Sequence, residues 1–310
     1  MFRMRDLILV AVTVAGMAVG VIWPGFSGFF TPAVLWFMMA LLFMAFLNMD
    51  YKALTRVDRA SLGEVALWTF LKLLALPLLG WALAAWLAPA WALPMLVLAG
   101  VSSGVTAPFF AGHLGADVGQ VLKNVMLTSL LVPLTLPLLV SLLMGGRMEI
   151  STAAMSWMLA KVIFIPLIAA WLVKRFTPAV AKGVGRVSFP LSLAIFFLNN
   201  LGIFSQYSDF LKTNAHQLLF ALLVACLVAL SFGLAAGLAG LLSRGRYSPL
   251  SGAVSMVYVN NVLGIVFGGS FFGPQTPLLS AVYMAPLFCM VIPLRLMGNW
   301  LKTRGRVSGK

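Results

Sequence analysis

Ser102-Ser103-Gly104-Val105-Thr106-Ala107-Pro108 interrupts a hydrophobic run that extends from about Leu93 to His113. A second run, from about Leu250 to Phe267, is interrupted in the same way by Val259-Asn260-Asn261-Val262-Leu263-Gly264. A helix that stops and restarts inside a membrane leaves backbone N–H and C=O groups unpaired. That is tolerated only where protein or a water-filled cavity satisfies them. Two such breaks at matching places in the two halves of one chain point to a transport site.

The surroundings of these breaks are those of a membrane protein. Of 310 residues, 62% are hydrophobic and 9% charged, and the mean hydropathy is +1.05. Soluble domains carry roughly 25% charged residues. A membrane-spanning helix needs about 20 apolar residues. Hydropathy predicts ten of them here, near 6–23, 30–49, 63–88, 92–113, 119–145, 151–174, 186–205, 215–243, 249–269 and 277–301. Pro24, Pro89, Pro178 and Pro274 fall in the connections, whereas Pro77, Pro166 and Pro190 lie inside spans and predict kinks.

The net charge of +14 has a distribution that explains it. With both termini cytoplasmic, the outer loops carry only Arg147 and Lys212, Lys72 and Lys161 fall inside spans, and every other basic residue lies on the inner side. This is the positive-inside bias of a multi-pass protein of the cell's inner membrane. The charge is a topology signal and calls for no nucleic-acid partner. Arg3 and Arg5 precede the first apolar stretch, which leads straight into further spans and reads as the first helix, not a cleaved signal. Cys226 and Cys289, the two cysteines, offer neither a disulfide framework nor a metal-ligand spacing and read as packing residues.

Gly145-Gly146-Arg147-Met148-Glu149 divides the chain into residues 1–148 and 149–310, with five predicted spans in each. Five is odd, so the second half enters the membrane from the opposite side and the repeat is inverted, with the broken span fourth in each half. Small-residue stretches before the breaks, Gly80-Trp81-Ala82-Leu83-Ala84-Ala85 and Gly233-Leu234-Ala235-Ala236-Gly237, echo one another and suit close helix packing.

All seven acids, Asp6, Asp50, Asp58, Glu64, Asp117, Glu149 and Asp209, fall near predicted membrane surfaces. That excludes a proton relay or cation site built on an embedded carboxylate. Lys72 is the contrary case, well inside the third span in Leu71-Lys72-Leu73-Leu74-Ala75-Leu76-Pro77. Either its stem snorkels to the cytoplasmic interface, or it is a fixed cation in a polar cavity; the second reading is favoured. Lys161 reads as structural, through snorkelling or capping of carbonyls freed by Pro166. Ser102, Ser103, Thr106, Asn260 and Asn261 either hydrogen-bond a solute or patch the broken backbone, and both roles place them at the breaks. Asn124 and Thr128, four apart, share one face of the fifth span. Asn199 and Asn200 in the seventh have a weaker claim. His113 and His216 lie near span ends, and no catalytic triad, metal cluster or phosphate loop is present, so no enzymatic activity is expected.

These stretches together, Ser103-Gly104-Val105-Thr106-Ala107-Pro108-Phe109, Asn124-Val125-Met126-Leu127-Thr128-Ser129, Leu71 to Pro77, Lys161 to Pro166 and Val259-Asn260-Asn261, resemble those of the bile acid:sodium symporter family, which includes bacterial members and related arsenite and plastid carriers. The resemblance implies an all-α fold in which the fourth and ninth spans cross. It also implies a core domain of spans 3–5 and 8–10 and a panel domain of spans 1–2 and 6–7. Two sodium ions are then expected behind the crossover and an organic anion in front of it.

The departures bear on the coupling ion. The family commonly carries Gly-Thr-Ala-Ser-Asn where this chain has Val105-Thr106-Ala107-Pro108-Phe109, so both ligands of the Ser-Asn pair are lost. The family's acidic ligand matches Met256, the adjacent amide matches Asn260, and a glutamine of the third span matches Lys72. Asn124 and Thr128 stand at surviving ligand positions. Two unit charges about 4 Å apart repel by about 4 kcal/mol at an effective dielectric near 20. An ammonium at Lys72 would therefore exclude sodium or stand in for it. The expectation is an alternating-access carrier of a small organic anion, without cofactor, with sodium coupling lost or weakened. Its solute would meet Ser102, Ser103, Thr106, Asn260 and Asn261, with Lys72, Asn124, Thr128 and Met256 in the former ion region. The alternatives are a sodium-coupled symporter with shifted ligands, a channel, and a membrane sensor that does not transport.

Overall fold

The structure, a computed structural model, describes residues 4–49, 59–145, 151–214 and 216–303. The expected repeat boundary at 146–149 lies outside the described residues, as do Arg3, Lys52, Arg56, Arg147, Arg304, Arg306, Lys310, Asp50, Asp58 and Glu149. Among the described residues every regular element is helical. In chain order they are α1 (Met4–Ile22), α2 (Pro24–Leu47), α3 (Ser61–Leu87), α4 (Ala92–Gly100), α5 (Ala107–Leu114), α6 (Val118–Met144) and α7 (Thr152–Phe176). They continue with α8 (Pro178–Ser205), α9 (Ser208–Thr213), α10 (His216–Leu242), α11 (Pro249–Val257), α12 (Asn261–Phe271), α13 (Gln275–Cys289) and α14 (Val291–Thr303).

Among the described residues six helices are long and apolar enough to cross a membrane: α2, α3, α6, α7, α10 and the Val187–Ser205 part of α8. The pair α13 and α14, bent by 42°, makes a seventh if it is one span. The chain is thus an all-helical, multi-pass membrane protein. Its helices show the expected two-faced pattern. On α6, Leu130, Leu134, Leu138 and Leu142 recur every fourth residue and are exposed, while Asn124, Thr128, Val132 and Leu136 are buried. An apolar stripe of this spacing on the outer side belongs against lipid; the polar groups turn inward.

Several boundaries depart from hydropathy, each for a local reason. Pro24 and Pro178 open α2 and α8 and do not sit in connections, because a helix's first turn has no use for the missing N–H. The last predicted span is not continuous but breaks at Met290, between α13 and α14. Within α3, Leu71–Ala75 form a wider π-helical turn immediately before Leu76 and Pro77. Such turns occur mostly as single insertions in α-helices and often at functional sites.

Two packing groups emerge. Helices α1, α2, α7 and α8 pack on one another, and α3–α6 pack with α10–α14. Between the groups, α12 lies against α2 and α8, α1 meets the end of α13, and α6 lies beside α7. Small residues set the closest approach inside the second group: a Cβ on Gly240 of α10 would fall 2.5 Å from the Cα of Pro249 at the start of α11.

Candidate functional site

The two sequence interruptions are real breaks, and they touch. Helices α4 and α5 have 9 and 8 residues, α11 and α12 have 9 and 11. At about 1.5 Å per residue, each covers roughly half of a 30 Å hydrocarbon core. The second break is shorter than predicted: only Tyr258–Asn260 leave the helix, and Asn261–Gly264 already belong to α12. In the first, residues 101–106 are non-helical, and Ala107 and Pro108 start α5.

Ser103 and Val259 pair in an isolated antiparallel bridge. The Gly104 N–H donates to the Tyr258 carbonyl at 2.6 Å, and the Asn260 N–H donates to the Ser102 carbonyl at 2.9 Å. Each break therefore satisfies backbone groups of the other, the condition that a membrane interior imposes. The approach requires glycine at 104, where a Cβ would lie 2.7 Å from the Val259 carbonyl oxygen.

One side of the meeting point is knitted by buried side chains. The Ser103 hydroxyl donates to the Ser255 carbonyl at 2.7 Å and accepts from the Asn124 amide at 3.2 Å. Thr69 of α3 donates to the Asn124 carbonyl oxygen at 3.1 Å. The Thr128 hydroxyl accepts the Ser103 N–H at 3.1 Å while donating to the Asn124 backbone carbonyl at 2.8 Å. Ser103, Asn124 and Thr128, singled out in the sequence, thus form one network on three fully buried side chains. Thr69 and the Ser255 carbonyl were missed, because single polar residues in long apolar helices declare no partner until helix rotation is known.

Lys72 joins this region from the π turn. It is fully buried, its ammonium donates to the Ala99 carbonyl at 2.5 Å, and it lies 5.5 Å from the Phe232 ring centroid. Snorkelling is therefore not what it does. In a continuous helix the Ala99 carbonyl would accept from the Ser103 N–H; the break sends that N–H to Thr128, and Lys72 takes its place. A cation there also complements the negative dipole end of α4. At the second break the Tyr283 hydroxyl, also fully buried, donates to the Val257 carbonyl at 2.9 Å, which additionally accepts the Val259 N–H in a tight turn. Both α4 and α11 thus end on carbonyls served by side chains from other spans.

The other predicted residues divide. Asn260 caps α12, its side chain accepting from the Leu263 N–H at 3.2 Å. Asn261 is buried with neither amide atom partnered, and the Ser102 hydroxyl is equally buried and unpartnered. Thr106 is exposed and makes no side-chain cap for α5. Met256 is fully buried. The Lys161 ammonium lies 5.7 Å from the Trp157 ring centroid. His113 is exposed and stacks on Phe109. Cys226 and Cys289 are free. A cavity of about 170 Å³ between α1, α9 and α10 is lined by the apolar side chains of Met17, Ala18, Val21, Ile22, Leu211 and Leu218.

Around the breaks the Asn124 side-chain oxygen accepts from Thr69, the Lys72 ammonium donates to the Ala99 carbonyl, and Met256 places a thioether in a fully buried position. Among the described residues no three His, Cys, Asp or Glu side chains come together to hold a metal.

No curated protein matches the chain closely enough to serve as a named relative. A family does match, over residues 31–214, a stretch that contains Lys72, the first break, Asn124, Thr128, Asn199 and Asn200 and stops before the second break. The match covers more than half of the sequence, and the chain belongs to the Sodium Bile acid symporter family, a family of membrane transporters.

Proposed function

We propose that this protein is an alternating-access carrier of a small organic anion, with sodium coupling lost or weakened and the Lys72 ammonium standing where the family's ion would stand. The observation that carries the reading is the Lys72 hydrogen bond to the Ala99 carbonyl beside the crossed breaks. The positive dipole ends of α5 and α12 and the Lys72 charge favour an anion. Ser102, Ser103, Thr106, Asn260 and Asn261 are assigned to the solute side, and Lys72, Asn124, Thr128 and Met256 to the former ion region. Coupling is then to protons or absent.

The same reading assigns α3–α6 and α10–α14 to a core and α1, α2, α7 and α8 to a panel, in agreement with the two packing groups. It retains ten spans in two inverted repeats, 1–148 and 149–310, in the cell's inner membrane with cytoplasmic termini. Counterflow of a radiolabelled organic anion in proteoliposomes without an ion gradient tests it: exchange that persists when potassium replaces sodium is expected. A sodium-coupled symporter with shifted ligands is the second reading, favoured by the family match and by the survival of Asn124 and Thr128; exchange that stops without sodium would select it.

A further inference from the structure

Asn199 and Asn200 of α8 are both fully buried, and none of their four amide atoms has a hydrogen-bond partner. Burying one such group dry costs about 2–7 kcal/mol, so polar groups inside spans belong against partners or a water-filled cavity. Their direction follows from their neighbours. Ile203 Cγ2 lies 3.7 Å from where a Cβ on Gly269 of α12 would sit, and the Tyr207 hydroxyl donates to the Gly269 carbonyl at 3.1 Å. At about 100° per residue, Asn199 and Asn200 lie about 40° and 60° to either side of Ile203. The two amides therefore straddle the line along which α8 faces α12.

On its outer flanks the pair is closed. Asn200 Cβ is 2.9 Å from the position of a Cβ on Gly16 of α1, and a Cβ on Gly202 would be 2.9 Å from the Phe30 backbone of α2. Contacts climb both helices together, Ile203 beside Gly269 and Tyr207 reaching the Phe272 carbonyl at 3.5 Å, so α8 and α12 run in the same direction. Asn199 and Asn200, about one turn before Ile203, lie about one turn before Gly269 and about one turn beyond Asn261, whose own amide is buried and unpartnered.

We infer that Asn199 and Asn200 form the wall of the solute path opposite Asn261. Their NH2 groups would take carboxylate or hydroxyl oxygens of the transported anion, and water would occupy them when the seam between α8 and α12 opens. The inference rests on the transport reading but commits to a specific seam and to residues outside the crossover.

Cysteine accessibility tests it without a solute. In a Cys226→Ala/Cys289→Ala background, Asn199→Cys and Asn200→Cys are exposed to a membrane-impermeant charged thiosulfonate in right-side-out and inverted vesicles. Thr213→Cys, at an exposed position, is the reactive reference, and Leu201→Cys, buried and turned away from α12, the unreactive one. From at least one side, both asparagine positions are expected to label on the order of tenfold faster than Leu201→Cys. If either variant fails to reach the membrane, Ile203→Cys supplies the same reading one turn along. Labelling no faster than Leu201→Cys overturns the inference, even if organic-anion counterflow is observed; fast labelling without counterflow upholds the water path and removes the transport reading instead.

Discussion

Lys72 sets the balance at the scale of single residues. Replacing it by methionine leaves the Ala99 carbonyl without its donor, a loss of about 1–3 kcal/mol. The same change removes a buried unpaired charge, whose effective desolvation penalty is several kcal/mol. The second effect is larger, so Lys72→Met is expected to melt at or above the wild-type temperature in a thermal-unfolding assay while counterflow is lost. Tyr283→Phe removes only a neutral hydroxyl from the Val257 carbonyl and is expected to cost about 1 kcal/mol, read as a lower melting temperature. Gly104→Ala must push a methyl into the Val259 carbonyl; overpacking costs typically 1–3 kcal/mol, and separation of the breaks is expected to abolish transport. Lys72, Ser103, Asn124 and Thr128 could be found in the sequence because charge or closely spaced polarity is conspicuous in apolar spans. Thr69 and Tyr283 could not, since a lone hydroxyl in a long helix carries no mark of the carbonyl or amide it will reach.

The long apolar elements were readable from hydropathy alone, and the breaks from short polar and small residues in mid-run. What hydropathy could not supply was the form of the irregularities. The π turn at Leu71–Ala75 and the bend between α13 and α14 at Met290 leave composition unchanged, and only backbone hydrogen bonding reveals them. Prolines were half informative: Pro24 and Pro178 do not sit in connections but open helices, which residue type alone cannot decide. The two broken helices are joined by Ser103 as much as by the backbone bridge, for Ser103 joins the Ser255 carbonyl, Asn124 and, through its N–H, Thr128. Ser103→Ala is expected to lower the melting temperature by the equivalent of about 1–3 kcal/mol, because it strands a buried amide of Asn124; retention of wild-type stability would mean that the bridge alone holds the breaks.

For the whole molecule, the decisive question is what holds the negative ends of the broken helices. In this chain two side chains donate to them, an ammonium at α4 and a phenol at α11; under the proposed function these stand in place of a resident cation. A specific ligand stabilises the folded state by RT ln(1 + [L]/Kd), about 1.4 kcal/mol at ten times its dissociation constant. Sodium binding is therefore visible in melting temperature even when the solute is unknown. The most direct test compares purified wild type and Lys72→Gln in sodium chloride and in potassium chloride at equal ionic strength. Wild type is expected to melt at the same temperature in both salts and Lys72→Gln, whose amide oxygen can meet the ion, to show a sodium-specific rise; a sodium-specific rise in wild type that survives unchanged in Lys72→Gln would rule out the ammonium in the ion's place.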